Sequence, residues 1–216
     1  MNLRSILLDL LYPPKCVYCH RLLETSASKV CPRCRNNLPE TPEGDLLSGE
    51  FFSGCAVPLY YEGAVKDSLH RFKFSRRREY AETYSQKLAD CLRAAAVSWD
   101  ILTWVPVSRT RLRQRGYDQC QLLAEALGRQ LGCTPVPLLR KARHTPAQSQ
   151  TGTVEKRRAN VSGAYQVIDP ANVVGKRILL IDDIVTTGAT LSECARVLRF
   201  AGAAAVFCGA VARRRD

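Results

Sequence analysis

The sequence predicts an α/β domain, a parallel sheet flanked by helices, with a small cysteine-built appendage ahead of it. Three observations carry that reading. From residue 51 onward, short apolar runs alternate with helical patterns. One run, Ile178–Ile181, leads straight into an acidic pair and a small-residue loop. Four of the ten cysteines are grouped as two C-x2-C pairs near the N-terminus.

The central stretch is Arg177–Thr190, RILLIDDIVTTGAT. Ile178–Ile181 reads as a buried parallel strand. Asp182 and Asp183 follow at its carboxyl end. Thr186, Thr187, Gly188, Ala189 and Thr190 then open a helical pattern in which Leu191, Cys194, Ala195 and Leu198 share a face, and Gly202 is a natural stop. A helix N-terminus offers free N–H groups and a positive dipole end, so it binds phosphate. Gly188 lets the backbone come close or adopt positive φ, and the threonine hydroxyls add donors. The two carboxylates accept hydrogen bonds from vicinal hydroxyls and help hold hydrated Mg²⁺. Phosphate at one end and a diol at the other outline a ribose 5-phosphate. An ordinary surface Asp pair ahead of a helix cap is the bland alternative.

In chain order, the 216 residues allow one domain plus an appendage. No segment approaches 18 unbroken apolar residues, so no membrane insertion is expected. Ile6–Leu11 contains Asp9, is too short for a secretory core, and reads as a short amphipathic helix. The chain reads as cytoplasmic. Cysteines there argue against a disulfide framework. Cys16, Cys19, Cys31 and Cys34 form C-x2-C-x11-C-x2-C. Two such knuckles give the tetrahedral thiolate shell of a structural Zn²⁺ site, whose metal would supply the folding energy of so small a segment; a redox pair is the alternative. His20 reads as surface, and the six other cysteines read as small buried hydrophobes. Pro39–Gly49 is the linker candidate, giving residues 1–48 as helix plus ribbon and 49–216 as the main domain.

Within the main domain, Cys55–Tyr61 and Ile101–Val107 read as strands, the first at an edge because of Pro58. Ala64–Ala96 reads as helical with a break at Phe74–Arg78. Arg109, Arg111, Arg113 and Arg115 alternate through a loop after a strand end, which places them on the ligand side of the sheet. Arginine forks suit pyrophosphate, and one or two of the four would serve. Tyr117–Leu131 reads as a helix, Arg140–Asn160 as a long polar lid, and Ala164–Ile168 and Ala203–Ala212 as strands.

The net charge is +12, and residues 51–165 carry 19 bases against nine acids. A single phosphorylated sugar cannot account for that surplus. It implies a polyanionic partner, nucleic acid first, or simply a soluble basic face. Phe72, Phe74 and Tyr80 interleave the densest cluster and suit either base stacking or a helix core.

Taken together, CxxC…CxxC, VPVSRTRLRQRGYDQ, RRANVSGAY and IDDIVTTGAT resemble the ComF family of competence-related phosphoribosyltransferase-like proteins. The resemblance implies a type I phosphoribosyltransferase fold behind a zinc ribbon and a 5-phosphoribosyl-1-pyrophosphate (PRPP) site. Asp182 and Asp183 would meet the ribose hydroxyls and Thr186–Thr190 the 5-phosphate. Val107, Ser108 and Arg109 would belong to the pyrophosphate loop, with Arg115 at its end as a catalytic residue beside the acidic pair. Mg²⁺ would accompany PRPP. Single-stranded DNA and a DNA-uptake helicase are the implied partners. Asp118 departs from the family's usual Asn, and Gln148–Asn160 matches loosely. Hypoxanthine-type enzymes look to carry a carboxylate base three or four residues after the acidic pair; here Thr186 stands there, so no such base is expected. Three functions follow: a PRPP-dependent transferase, a catalytically silent PRPP sensor that binds DNA, or a nucleobase salvage enzyme.

Overall fold

A computed structural model describes residues 13–142 and 161–215. The expected Ile6–Leu11 helix and all but the first three residues of the expected Arg140–Asn160 lid lie outside them. The described chain runs α1 (Pro32–Asn36), β1 (Leu46–Leu47), β2 (Gly54–Ala56), β3 (Leu59–Tyr60), α2 (Gly63–Phe74), α3 (Tyr80–Ala94), β4 (Ile101–Trp104), α4 (Arg109–Arg115), α5 (Gln119–Leu131), β5 (Leu139–Lys141), β6 (Tyr165–Val167), β7 (Arg177–Val185), α6 (Ala189–Phe200) and β8 (Ala205–Arg213).

One sheet has the order β1-β2-β8-β7-β4, with β3 also on β8. Every pairing in it is parallel except β1 on β2. β7 lies between β8 and β4 and is buried from Ile178 to Asp183. Its side chains alternate as a pleated strand must. Leu179 and Ile181 join the core beneath α2, α3 and α5, whereas Ile178 and Leu180 join the core beneath α6. Fully buried Leu88, Leu123 and Leu127 on the first face each contribute about 1.5–3 kcal/mol of burial. β5 and β6 form a separate antiparallel pair.

Three local readings change. β7 runs on to Val185, so both aspartates lie within the strand, in register with β8 at Asp182↔Ala210. The Pro39–Gly49 segment is not a free linker. Leu46 and Leu47 supply an antiparallel edge strand, and Thr41 N–H donates to Pro58 O at 3.0 Å. Cys55–Tyr61 is split around Val57-Pro58 into β2 and β3, because proline has no N–H for the ladder. The expected helical break falls between Phe74 and Tyr80.

The ribbon is packed into the main core rather than tethered to it. Cys16, Val17 and Tyr18 belong to the same buried cluster as Phe72, Tyr84 and Leu88, and the Tyr18 and Tyr84 rings lie 6.1 Å apart. Among the described residues, no helix is long and apolar enough to cross a membrane.

Candidate functional site

A cavity of about 320 Å³ opens at the carboxyl ends of β4 and β7. The position follows from the topology, since parallel strands deliver their terminal loops to one end of the sheet. Asp182, Asp183 and all of Thr186–Thr190 line it. Gly188 stands at φ 69° and is the N-cap of α6, with no side-chain cap bond on that turn. The first amides of α6 therefore point their unpaired N–H groups toward the same space as the carboxylates.

The acidic pair is buried, with relative exposures of 9% for Asp182 and 4% for Asp183. Asp182 Oδ1 accepts the Asp183 amide at 2.8 Å and the Cys120 thiol at 3.3 Å. Burial, then the adjacent Asp183 charge, push the Asp182 carboxyl up to about 7. Lys73 Nζ lies 2.9 Å from Asp183 Oδ1. Asp183 Oδ2 is buried and has no hydrogen-bond partner among the described residues. A buried acceptor left in that state suits a ligand that brings donors, such as a hydroxyl or a metal-bound water.

The four alternating arginines are helical, not looped, and this sorts them. On α4, positions four apart share a face. Arg111 and Arg115 line the cavity, whereas Arg109 and Arg113 are exposed. Arg115 donates to Gln119 Oε1 at 2.7 Å, and its guanidinium lies 4.9 Å from the Phe74 ring. Val107 lines the cavity. Ser108 is buried and caps α4, its Oγ accepting the Arg111 amide at 3.3 Å. Neither Ser108 nor Arg109 is among the lining residues.

Sequence reasoning misses Lys73, Cys120, Lys141 and Tyr165, all of which line the cavity. Lys73 is visible there only as one base among several in FKFSRRR. Lys141 donates to the Tyr165 hydroxyl at 3.2 Å, and burial pushes its ammonium down. Of the aromatics in the basic cluster, Phe72 and Tyr80 are core residues; Phe74 is 60% exposed.

In the ribbon, the sulfurs of Cys16, Cys19, Cys31 and Cys34 lie within 4.8 Å of one another. Tetrahedral Zn–S bonds of about 2.3 Å place sulfurs about 3.8 Å apart, and Cys19 and Cys31 are 3.6 Å apart. Backbone amides of Cys31 and Cys34 point at the sulfurs of Cys16 and Cys31, each at 3.4 Å, which favours thiolates. The donor set fits zinc, and His20 is not in the cluster.

Similar proteins of known family agree with both halves. The double zinc ribbon domain family matches residues 7–46 and the phosphoribosyl transferase domain family matches residues 118–216. The DNA utilization protein YhgH of Escherichia coli is 31% identical over 88% of this chain and 86% of its own length. Competence protein F of Haemophilus influenzae is 24% identical over 87% of this chain and 92% of its own. Competence protein ComFC of Bacillus subtilis is 32% identical over 67% of this chain and 58% of its own. The chain belongs to the ComF family. Its membership explains why a cysteine ribbon and a phosphoribosyltransferase-like sheet share one chain. The acidic strand, glycine-capped helix and arginine-bearing α4 are the parts of this ComF-family site that the cavity gathers.

Proposed function

We propose that this protein binds PRPP with Mg²⁺ in the cavity and transfers its phosphoribosyl group to an acceptor, releasing pyrophosphate, in the handling of DNA. The observation that carries the reading is one cavity holding both a buried Asp182–Asp183 pair and the free amides of a Gly188-capped helix. Thr186–Thr190 and the α6 amides hold the 5-phosphate. Asp182 and Asp183 accept the ribose hydroxyls and, through water, help hold Mg²⁺. Arg111 and Arg115 face the pyrophosphate oxygens. The C1–O bond to pyrophosphate breaks, the electron pair leaves with it, and an acceptor lone pair closes on C1. The relatives named for competence and DNA utilization support a DNA-linked setting. So does the basic rim of Arg76–Arg78 and α4, where Arg78 donates to Gly116 O at 2.7 Å. Single-stranded DNA is its partner in this reading, and a DNA-uptake helicase the protein partner.

One observation favours a second reading, a silent PRPP sensor. Asp182 and Asp183 are the only acids among the described lining residues, so beyond the pair that binds ribose the described wall of the cavity offers no carboxylate to deprotonate an acceptor. Calorimetry with PRPP, with and without Mg²⁺, tests what the readings share; replacing both aspartates by alanine is expected to abolish binding. Pyrophosphate release across a panel of amine, nucleobase and oligonucleotide acceptors then separates them. Release with a free nucleobase alone would mark a salvage enzyme, and none with any acceptor would mark the sensor.

A further inference from the structure

Helix α2 touches both chemical centres of the molecule within two turns. On the ribbon side, Ser68 Oγ donates to the Val17 carbonyl at 2.6 Å. Arg71 donates to the Tyr18 carbonyl at 2.5 Å and to the Val17 carbonyl at 3.2 Å. Val17 and Tyr18 are the two residues between zinc ligands Cys16 and Cys19. In the last turn, Lys73 reaches Asp183 at 2.9 Å, and the Phe72 carbonyl accepts the Tyr117 hydroxyl. Phe74 lies under Arg115. Val65, Leu69 and Phe72 are fully buried along the same helix, so close packing holds both of its ends to one core.

The Lys73–Asp183 contact is not a surface ion pair. Its side chains are 20% and 6% exposed, and its ammonium also opposes the mutual repulsion of the two carboxylates. It occupies one Asp183 oxygen and leaves the other, Oδ2, without a partner among the described residues.

We propose that Lys73 is a positioning residue that fixes the orientation of the Asp183 carboxylate for the sugar, leaving its second oxygen free to accept, and that α2 ties this position to the metal-bound knuckle. Loss of zinc from the ribbon then weakens sugar-phosphate binding in a cavity to which the described residues of the ribbon contribute no lining. The inference rests on the PRPP reading above.

The test is PRPP calorimetry in the presence of Mg²⁺ on the full chain and three variants. Lys73→Ala is expected to bind at least about tenfold more weakly at pH 7. Lys73→Arg is expected to recover most of the affinity, which a merely space-filling role would not predict. The double variant Ser68→Ala with Arg71→Ala is expected to retain its zinc by metal analysis and still lose affinity about threefold or more. A second readout needs no PRPP: stripping zinc with a zinc-selective chelator should raise amide exchange across residues 69–74. If the wild type binds PRPP but Lys73→Ala binds as well or better, the role of Lys73 is overturned. Unchanged exchange and affinity after zinc removal overturn the coupling. Failure of the wild type to bind PRPP refutes the functional reading instead, and the exchange measurement still decides the coupling.

Discussion

Asp118 accepts the Val107 amide with one carboxylate oxygen, at 2.9 Å, and caps α5 with the other through Cys120 and Gln121, at 2.9 and 3.1 Å. It splints the segment that leaves β4 to the helix that follows α4. This gives the departure from the family's usual asparagine a structural meaning. Burial raises the Asp118 carboxyl, and three amide donors oppose the rise. Asp118→Ala should cost about 2 kcal/mol, a lost N-cap plus an unpaired buried amide. Asp118→Asn should cost less, because its amide oxygen still caps α5 while its NH₂ faces the Val107 N–H donor to donor. Urea unfolding of the two variants checks the order.

Asp182 makes a prediction about pH. Its carboxyl stands near 7 in the fold against an ordinary 3.8. Between those values the folded chain holds more protons than the unfolded one, so its contribution to stability falls as pH rises from about 4 to about 7. Asp182→Asn removes the buried charge. The variant should be more stable than wild type by about 1–3 kcal/mol at pH 8 and nearly equal near pH 4. It should also lose PRPP binding. Denaturation at both pH values decides, and a variant less stable at pH 8 would refute the argument.

The parts of the site that are continuous in sequence are legible from the residues alone. The strand, the acidic pair, Thr186–Thr190 and the helix after them are local features with one period each. The rest depends on distant pairing. The strand extends through Asp182 and Asp183 because β8 keeps pairing as far as Arg213, which no local pattern announces. The arginines alternate with a period of two, and only the helical path of α4 reveals that Arg111 and Arg115 belong together. Lys73 is far from Asp183 in sequence, so its role emerges only once the last turn of α2 reaches the carboxyl end of β7. The ribbon's cysteine spacing is plain, but its burial beside Phe72 and Tyr84 is not, because Tyr18 carries no signal of where it docks.

Gly188 offers a test of the phosphate end. Its φ is 69°, yet a Cβ added there meets nothing within 4 Å. The cost of Gly188→Ala is therefore conformational, about 1 kcal/mol of stability, with no packing clash to confuse it. The same turn sets the direction of the first α6 amides. PRPP affinity should fall by more than stability does, while zinc content stays that of the wild type. Calorimetry beside a thermal melt separates the two effects.

The basic rim and Phe74 should contribute to nucleic-acid binding by different physics. Arg76 and Arg77 are exposed, and each phosphate contact they make releases counterions. Replacing both with alanine should lower the slope of log affinity against log salt by about 1.4 for a single strand. Phe74 is exposed, with Arg115 on its ring, so it can stack on a base without charge. Phe74→Ala should cost about 1–3 kcal/mol of affinity and leave the salt slope unchanged. Anisotropy titrations of a labelled oligonucleotide at several salt concentrations read both quantities at once. Equal slopes in all three proteins would mean that the rim does not meet the backbone, and would leave its charge a matter of solubility.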